Sequence, residues 1–378
     1  MKKIILEIKD ELIQIRRKIH SNPELGFEEY ETSALIADYL KKLDIQVRTN
    51  VAKTGVVGLI SGSGKGKTLL IRADMDALPM DEENSFEYAS GKKGIMHACG
   101  HDVHVAILLG VAKVLSQLKD SFCGSVKLVF QPAEEAMGGA LPMIEEGVME
   151  NPTVDGAAAY HVWNYPSGTI GIKSGSITAS PDHFNITVAG KGGHGATPEK
   201  CINPLEIAAR ITTRLNNIKL QTPGLVTICS IIGGTGENII PDTALIRGTA
   251  RALDPDTRQK LYNMIVDIAN EEAKKLGAAV DIDYRFLYPP GINDEKMVAL
   301  FEKAAKQVIG AENIIHMEKP DMTGDDFAYF AQRVPSCYVK LGGAKEPLHT
   351  SNFDFDEDCI ATGVEIMCYF ALKFLETR

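Results

Sequence analysis

The chain has 378 residues, 44% of them apolar and 24% charged. That length suits about two domains rather than one core, and the composition excludes a disordered chain, a collagen-like fibre and a small disulfide scaffold. Fifty acidic against 40 basic residues give a formal net charge of -10, a surface that repels phosphate backbones and anionic lipids, so neither nucleic acid nor a membrane is expected as a partner.

Apolar residues recur at helical spacing over 3–19, with Ile5, Leu6, Leu12, Ile13, Ile15 and Ile19 on or near one face, until Pro23 ends the pattern. Glu7, Lys9, Asp10 and Glu11 interrupt this opening, so it does not read as a signal sequence. No apolar run approaches the roughly 20 residues that span a membrane. Seven scattered cysteines without a CxxC read as thiols in a reducing compartment, and a cytoplasmic protein is expected.

A second helix is predicted over 28–43, followed by strands over 56–60 and 68–73. The joint SGSGKG resembles a phosphate-binding loop, but the pattern G-x-x-x-x-G-K-[ST] needs glycine where Ser61 stands, and a β-rich run follows instead of a helix. A hairpin turn is predicted there. A buried helix over 103–118 and strands over 126–130, 156–161 and 169–173 complete an alternation typical of an α/β layer fold. From about 180 the order becomes β-α-β-β-α-β: a strand over 183–189, a helix over 204–219, strands over 226–232 and 244–253, a helix over 257–276 and a strand over 279–284. Such a segment can fold alone. Helix and strand then return over 295–309, 326–332, 336–342 and 357–375. The expected organisation is an α/β domain with a central mixed sheet flanked by helices, 1–179 and 292–378, interrupted by an α+β, ferredoxin-like domain at 180–291.

Nine histidines are present, and three crowd into Met96-His97-Ala98-Cys99-Gly100-His101-Asp102-Val103-His104, just after Arg72-Ala73-Asp74-Met75-Asp76. Thiolate, imidazole and carboxylate together suit zinc or another late first-row divalent ion. A buried free cysteine beside a surface histidine is the competing reading. The pair Glu134-Glu135 follows a strand directly; adjacent carboxylates repel unless a cation or proton shares the site, and the alternative is a solvated loop pair. With a metal present the two divide their roles, one ligating and the other moving a proton. His161 closes an apolar strand, and His349 lies in a polar loop before the last helix. His194 sits among glycines, as an exposed loop histidine or as an electrophile toward a developing oxyanion. Met137 and Met143 are candidates for an apolar substrate pocket.

The motifs HACGHDVH, RADMDALP, FQPAEE, GKGGHGATP, GGTGENIIPD and LHTSNFDFDE, in this order and nearly end to end, resemble the M20 metallopeptidase family, within it the N-acyl-amino-acid amidohydrolases: auxin-conjugate hydrolases, hippurate hydrolases and N-acetyldiaminopimelate deacetylases. The resemblance implies two divalent ions per subunit (Zn, Mn, Ni or Co), held by Cys99, His101, Glu135, His161 and His349, with Cys99 bridging. It implies Glu134 as general base and acid, and Asp76 and Asp102 as carboxylates that orient imidazoles. The outer domain would be catalytic and the inserted one a lid and dimerisation domain, so that His194 reaches the active site of a neighbouring subunit in a homodimer. Asn238 and Arg251 would contact the substrate. The implied reaction is hydrolysis of the amide of an N-acyl amino acid, with a deacetylase of N-acetyldiaminopimelate and a dipeptidase or carboxypeptidase as alternatives. The chain departs from the pattern at Ala196-Thr197-Pro198-Glu199, at Asp325 where glutamate is usual, and at Ala136-Met137 where glycine is common. A thiol hydrolase using Cys99 with His101 or His97, and a metal-binding dimer without activity, are the rival readings.

Overall fold

The computed structural model describes residues 1–220 and 222–377. They form two units, one of Met1–Gly175, Ile292–Lys319 and Asp326–Arg378, the other of Ser176–Gly291 and Pro320–Asp325.

The first unit opens with α1 (Lys2–His20) and α2 (Tyr30–Lys42). Ile5, Ile8, Leu12 and Ile19 of α1 are buried, at the spacing of one helical face. Leu6 is 64% exposed, and the polar Arg16 and His20 complete the buried stripe in its place. Strands β1 (Gln46–Val51), β2 (Gly55–Ser61) and β3 (Thr68–Asp74) follow, then α3 (His101–Gln117), β4 (Ser125–Gln131), α4 (Ala140–Glu145), β5 (Gly156–Trp163) and β6 (Ile170–Ile172); β7 (Gly175–Thr178) starts on the last residue of this segment and runs into the second unit.

In the second unit come β8 (Ser180–Ala189), β9 (Gly193–His194), α5 (Pro204–Asn216), β10 (Gly224–Ile232), β11 (Ile239–Ile240), β12 (Thr243–Ala252), α6 (Pro255–Lys275) and β13 (Ala279–Arg285). The chain then returns through β14 (Gly291–Asn293), α7 (Glu295–Ile309), β15 (Ile314–His316), α8 (Ala328–Ala331), β16 (Ser336–Gly342) and α9 (Asp358–Glu376).

The large sheet has the order β1-β2-β4-β3-β5-β16-β6-β15. Its centre is parallel, because β3 pairs in parallel with both β4 and β5, and β5 with β16. The β1-β2 and β2-β4 pairs are antiparallel, which makes the sheet mixed. Central strands buried on both faces read as continuous apolar runs, and β3 is buried at all seven positions. Helix α3 is buried along most of its length and packs against α1, α9 and β3.

Two sequence expectations fail here. Segment 62–67 is not a hairpin turn: β2 and β3 are separated by β4, which pairs with both, so the loop crosses over an inserted strand. Strand β1 escaped notice because its QVRTNV sequence is mostly polar, with one buried position; it is an edge strand, where one face meets water.

The second unit's sheet has the order β10-β12-β8-β13, all antiparallel, the strand order of a split βαβ fold. Phe184, Ile186 and Val188 of β8, Ile207 and Ile211 of α5, and Leu261 and Ile265 of α6 form its separate core. Asn203 and Asp254 cap α5 and α6 by accepting from Leu205 N and Thr257 N.

Candidate metal centre

Four chain ends meet at the C-terminal edge of the parallel strands, where open α/β sheets present ligand sites: the residues after β3, the 96–101 loop leading into α3, the turn after β4, and the end of β5. Asp74 ends β3 and Asp76 follows it. Gly100 precedes α3 in a left-handed conformation (φ 79°), so that Cys99 and His101 lie either side of a sharp turn. A Cβ at Gly100 would lie 2.3 Å from Val162 Cγ2, so glycine also permits the loop to touch β5.

The turn carrying Glu134 and Glu135 starts at Ala133, whose φ of 54° is rare outside glycine. Ala133 N donates to Glu29 Oε1 (2.9 Å), and Thr54 Oγ1 donates to Glu29 Oε2 (2.5 Å). This buried carboxylate holds the turn in its strained shape. His349 also has positive φ (62°), and its N–H donates to Ala98 O (2.8 Å), which ties its loop to the cysteine loop.

The geometry brings six of the expected residues together in the first unit. Cys99 Sγ lies 3.4 Å from His161 Nε2 and 3.3 Å from His349 Nε2. His349 Nε2 is 3.0 Å from Glu135 Oε1, and His101 Nε2 is 3.9 Å from the same oxygen. Cys99 therefore belongs to two donor triads, one with His101 and His161, the other with Glu135 and His349, each with ligand atoms within 4.8 Å of one another. Glu134 groups with His101 and Glu135. His101 is fully buried, Cys99 and His161 are 6% exposed, and the His349 side chain is 51% exposed, so the site opens on the His349 side.

Asp76 serves two of these residues: it accepts from His101 Nδ1 (3.1 Å) and from Glu135 N (3.0 Å). That fixes the tautomer of His101 with Nε2 turned inward. Nε2 of His101 is buried and makes no hydrogen bond among the described residues, an orphan expected where an ion completes the coordination. Burial opposes charge on His101, but Asp74, then Asp76 and Glu135, outweigh it and push its pKa up to about 10. Burial, then Glu135 and Glu134, hold the Cys99 thiol well above its usual value. Burial, with His104 next, holds His161 well below its own and keeps it neutral. A dense set of carboxylates that forces protons onto a histidine and a thiol is short of positive charge. One thiolate, three imidazoles and a carboxylate on two triads fit a pair of borderline divalent cations.

Asp102 requires a correction. It accepts from Arg16 Nε (2.7 Å) and contacts His20 Nδ1 (2.8 Å), so the imidazole it orients is His20 and not one of the proposed ligands. Its side chain points back toward α1, because it follows His101 by one residue on a helix and so faces elsewhere. Met143 is also displaced from its expected role: it is fully buried, with its methyl beside Gly55, and belongs to the core. Met137, two residues after Glu135, is 86% exposed. The thiol-hydrolase reading loses support, since burial, Glu135 and Glu134 hold the Cys99 thiol protonated, and its nearest imidazoles, His161 and His349, belong with it to the donor set.

In the second unit, His194 on β9 pairs with Ile239 on β11, and Gly195 N donates to Asn238 O (2.8 Å), which brings His194 and Asn238 side by side on one loop pair. The His194 ring is exposed, and its Nδ1 accepts from Ala196 N (3.0 Å), which leaves Nε2 protonated and outward. Arg251 lies at the far end of β12 and donates to Met322 O (2.8 Å); eight residues of strand, about 27 Å, separate it from the end of β12 near that loop pair. Sequence reasoning missed Glu29 and His104 as parts of the site's frame and named Asp74 only as part of a motif; repeated acidic and histidine residues around ligands were the available signal.

A profile described as peptidase family M20/M25/M40 matches residues 70–373. The chain is 41% identical to thermostable carboxypeptidase 2 of Saccharolobus solfataricus, covering 99% of this chain and 98% of that protein. It is 36% identical to the hippurate hydrolase of Campylobacter jejuni, covering 98% of each. The crystal structure of the Bacillus subtilis protein YXEP, described as a dinuclear metal binding peptidase from the M20 family, superposes with a TM-score of 0.88 at 32% identity, covering 98% of this chain and 99% of that one. With a matching profile, full-length relatives and a two-triad donor set in its own fold, this chain belongs to the peptidase family M20/M25/M40.

Proposed function

We propose that the chain is a dinuclear metal-dependent amidohydrolase that cleaves the amide of N-acyl amino acids, releasing a carboxylic acid and a free amino acid. The observation that carries this reading is the pair of donor triads sharing Cys99, with Glu134 beside them and 6% exposed. Cys99, His101 and His161 would hold one ion, and Cys99, Glu135 and His349 the other. Zn, Ni, Co and Mn are the candidate metals, because thiolate and imidazole donors disfavour magnesium. The bound pair supplies Lewis-acid polarisation of the carbonyl and lowers the pKa of the attacking water.

Glu134 takes a proton from that water and delivers it to the leaving nitrogen, which departs only as a neutral amine. Its neighbour Glu135 is held in place through Asp76, so the two adjacent carboxylates have separate tasks. His194, with Nε2 protonated and outward, donates to the developing oxyanion from a second copy of the chain. Asn238, beside His194, would contact the substrate's carboxylate or carbonyl from the same copy of the chain as His194, and Arg251, at the far end of β12, would do so from the other copy. A homodimer is supported by β10, an edge strand that exposes Ile231 and Ile232 by 48% and 52%; edge strands are the usual place for a second chain to add. All seven cysteines are free, which agrees with a cytoplasmic protein.

The test is a panel of N-acetyl, N-benzoyl and indole-acetyl amino acids, with peptides bearing a free carboxylate, assayed with each candidate metal. Turnover that chelation abolishes and iodoacetamide on the metal-loaded enzyme leaves intact is expected. No turnover on any member, with metal bound, overturns the proposal in favour of a non-catalytic metal-binding protein.

A further inference from the structure

His104 has no assigned task in the site, yet it is 2% exposed and both ring nitrogens are engaged. Val162 N donates to His104 Nε2 (2.9 Å), which makes Nε2 the unprotonated acceptor. Nδ1 then carries the hydrogen and donates it to Asp74 Oδ1. Asp74 is fixed in turn by Arg72, whose other guanidinium nitrogens reach Gln131 and Asp326. His104 is therefore not a spare ligand, although it stands in a cluster with Asp74 and His101.

The imidazole occupies a particular place in the sheet. The register of β3 with β5 ends at Arg72 opposite Ala159. No further pair of β3 with β5 follows among the described residues. His104, on α3, links the two strands beyond it, with Asp74 of β3 on one nitrogen and Val162 of β5 on the other. Val162 is the residue on which the two halves of the donor set converge. Its carbonyl accepts from His161 Nδ1 (2.7 Å), which turns His161 Nε2 toward Cys99. Its γ-methyl packs beneath Gly100, between Cys99 and His101. The His104 and His161 rings also meet edge to face, with centroids 4.9 Å apart.

We propose that His104 is a positioning residue that acts through Val162: it sets the end of β5 so that His161 and the Cys99–His101 loop point at a common centre. The inference rests on the reading of His161 and Cys99 as metal ligands. Loss of this link is expected to cost metal affinity, as removal of partners behind ligating histidines typically costs about 10–100-fold.

The test uses the full chain and Co²⁺ as the probe. Trp163 is the chain's single tryptophan, with its ring 5.8 Å from that of His161, so its quenching reports occupancy directly. His104→Leu is expected to weaken Co²⁺ binding at least about 10-fold, with unchanged far-UV circular dichroism. His104→Gln, whose amide offers one donor and one acceptor, is expected to recover most of that loss. Wild-type Co²⁺ affinity in a folded His104→Leu overturns the proposal, as does a His104→Gln no better than His104→Leu. His161→Ala separates the two levels: weak binding there beside wild-type binding in His104→Leu sinks the positioning role alone, whereas wild-type binding in both sinks the ligand assignment. If His104→Leu does not fold, ¹⁵N-histidine spectra of the wild-type protein, taken metal-free and with diamagnetic Zn²⁺, decide: an Nδ1–H form in both states is expected, and an Nε2–H form or direct ligation overturns the proposal.

Discussion

Gly100→Ala tests whether the turn between Cys99 and His101 is set by contact with β5. Two costs follow from the structure. The backbone has φ 79° and ψ 20°, a left-handed conformation that costs a residue with a Cβ about 1–2 kcal/mol. The added methyl would also meet Val162 Cγ2 at 2.3 Å, about 1 Å inside ordinary contact. Val162 is fully buried, its peptide is held by His104 and His161, and it cannot swing aside, so the strain resembles a core overpacking of about 1–3 kcal/mol. The expected loss is about 2–5 kcal/mol.

Urea unfolding of the metal-free protein, followed by Trp163 fluorescence, reads the unit that contains the turn. Adding Val162→Ala should restore the steric part and leave the backbone part, giving a coupling of about 1–3 kcal/mol in a double-mutant cycle. A Gly100→Ala protein within about 0.5 kcal/mol of wild type, or a cycle without coupling, refutes the argument. Co²⁺ affinity should fall in step, since the same turn aims both Cys99 and His101.

Other predictions concern chemistry and charge. Glu134→Gln should retain two metal ions per chain by elemental analysis and lose at least about 10²-fold in kcat; near-normal turnover would remove Glu134 from its role. Metal loading at pH 8 should release protons, about one each from His101 and Cys99, because both are held protonated in the metal-free site while His161 is not. The sign follows: ions compete with protons, so apparent affinity rises with pH, the His101 part of the rise ending at about 10 and the Cys99 part set by a thiol held well above its usual value; calorimetry in two buffers of different ionisation enthalpy showing no release would contradict it.

Asp102→Asn should destabilise the protein by about 3–5 kcal/mol at pH 7, since it strips the buried Arg16 of its closest counter-charge. Burial opposes the charge on Asp102, but Arg16 and His20 outweigh it and hold Asp102 below the carboxylate range, so its contribution persists above about pH 4 and fades only in stronger acid; a change under about 1 kcal/mol would mean that Glu357 and Asp354, which also face Arg16 at 3.3 and 3.7 Å, suffice. Mixed oligomers of His194→Ala and Glu134→Ala chains should regain activity that neither has alone, and no complementation would count against a shared site.

Much of the site was legible in the chain because its donor types are chemically unusual and arrive in tight clusters. Cys99 and His101 straddle a glycine, Glu134 and Glu135 are neighbours, and His161 ends an apolar strand; each pattern is costly without a cation to share. Periodicity likewise defined the helices and the β-α-β-β-α-β segment, since burial of one face imposes its period on the sequence. Where burial is partial or polar, the pattern fails. Strand β1 went unseen as a polar edge, and the place of β4 between β2 and β3 is a matter of which strands pair at long range, which no local signal encodes.

Tertiary structure alone decided what each carboxylate and imidazole does. Asp76 and Asp102 look equivalent in sequence, each two residues or fewer from a motif residue. In the fold Asp76 ties His101 to Glu135, whereas Asp102 faces α1 and neutralises a buried arginine. His104 and His101 are one helical turn apart and equally suited to ligation, but β5 offers one of them a backbone amide and the other an open centre. Sequence determines which groups are available. The direction in which each group points is fixed by the partner that satisfies its remaining hydrogen bonds, and that partner comes from an element distant in the chain.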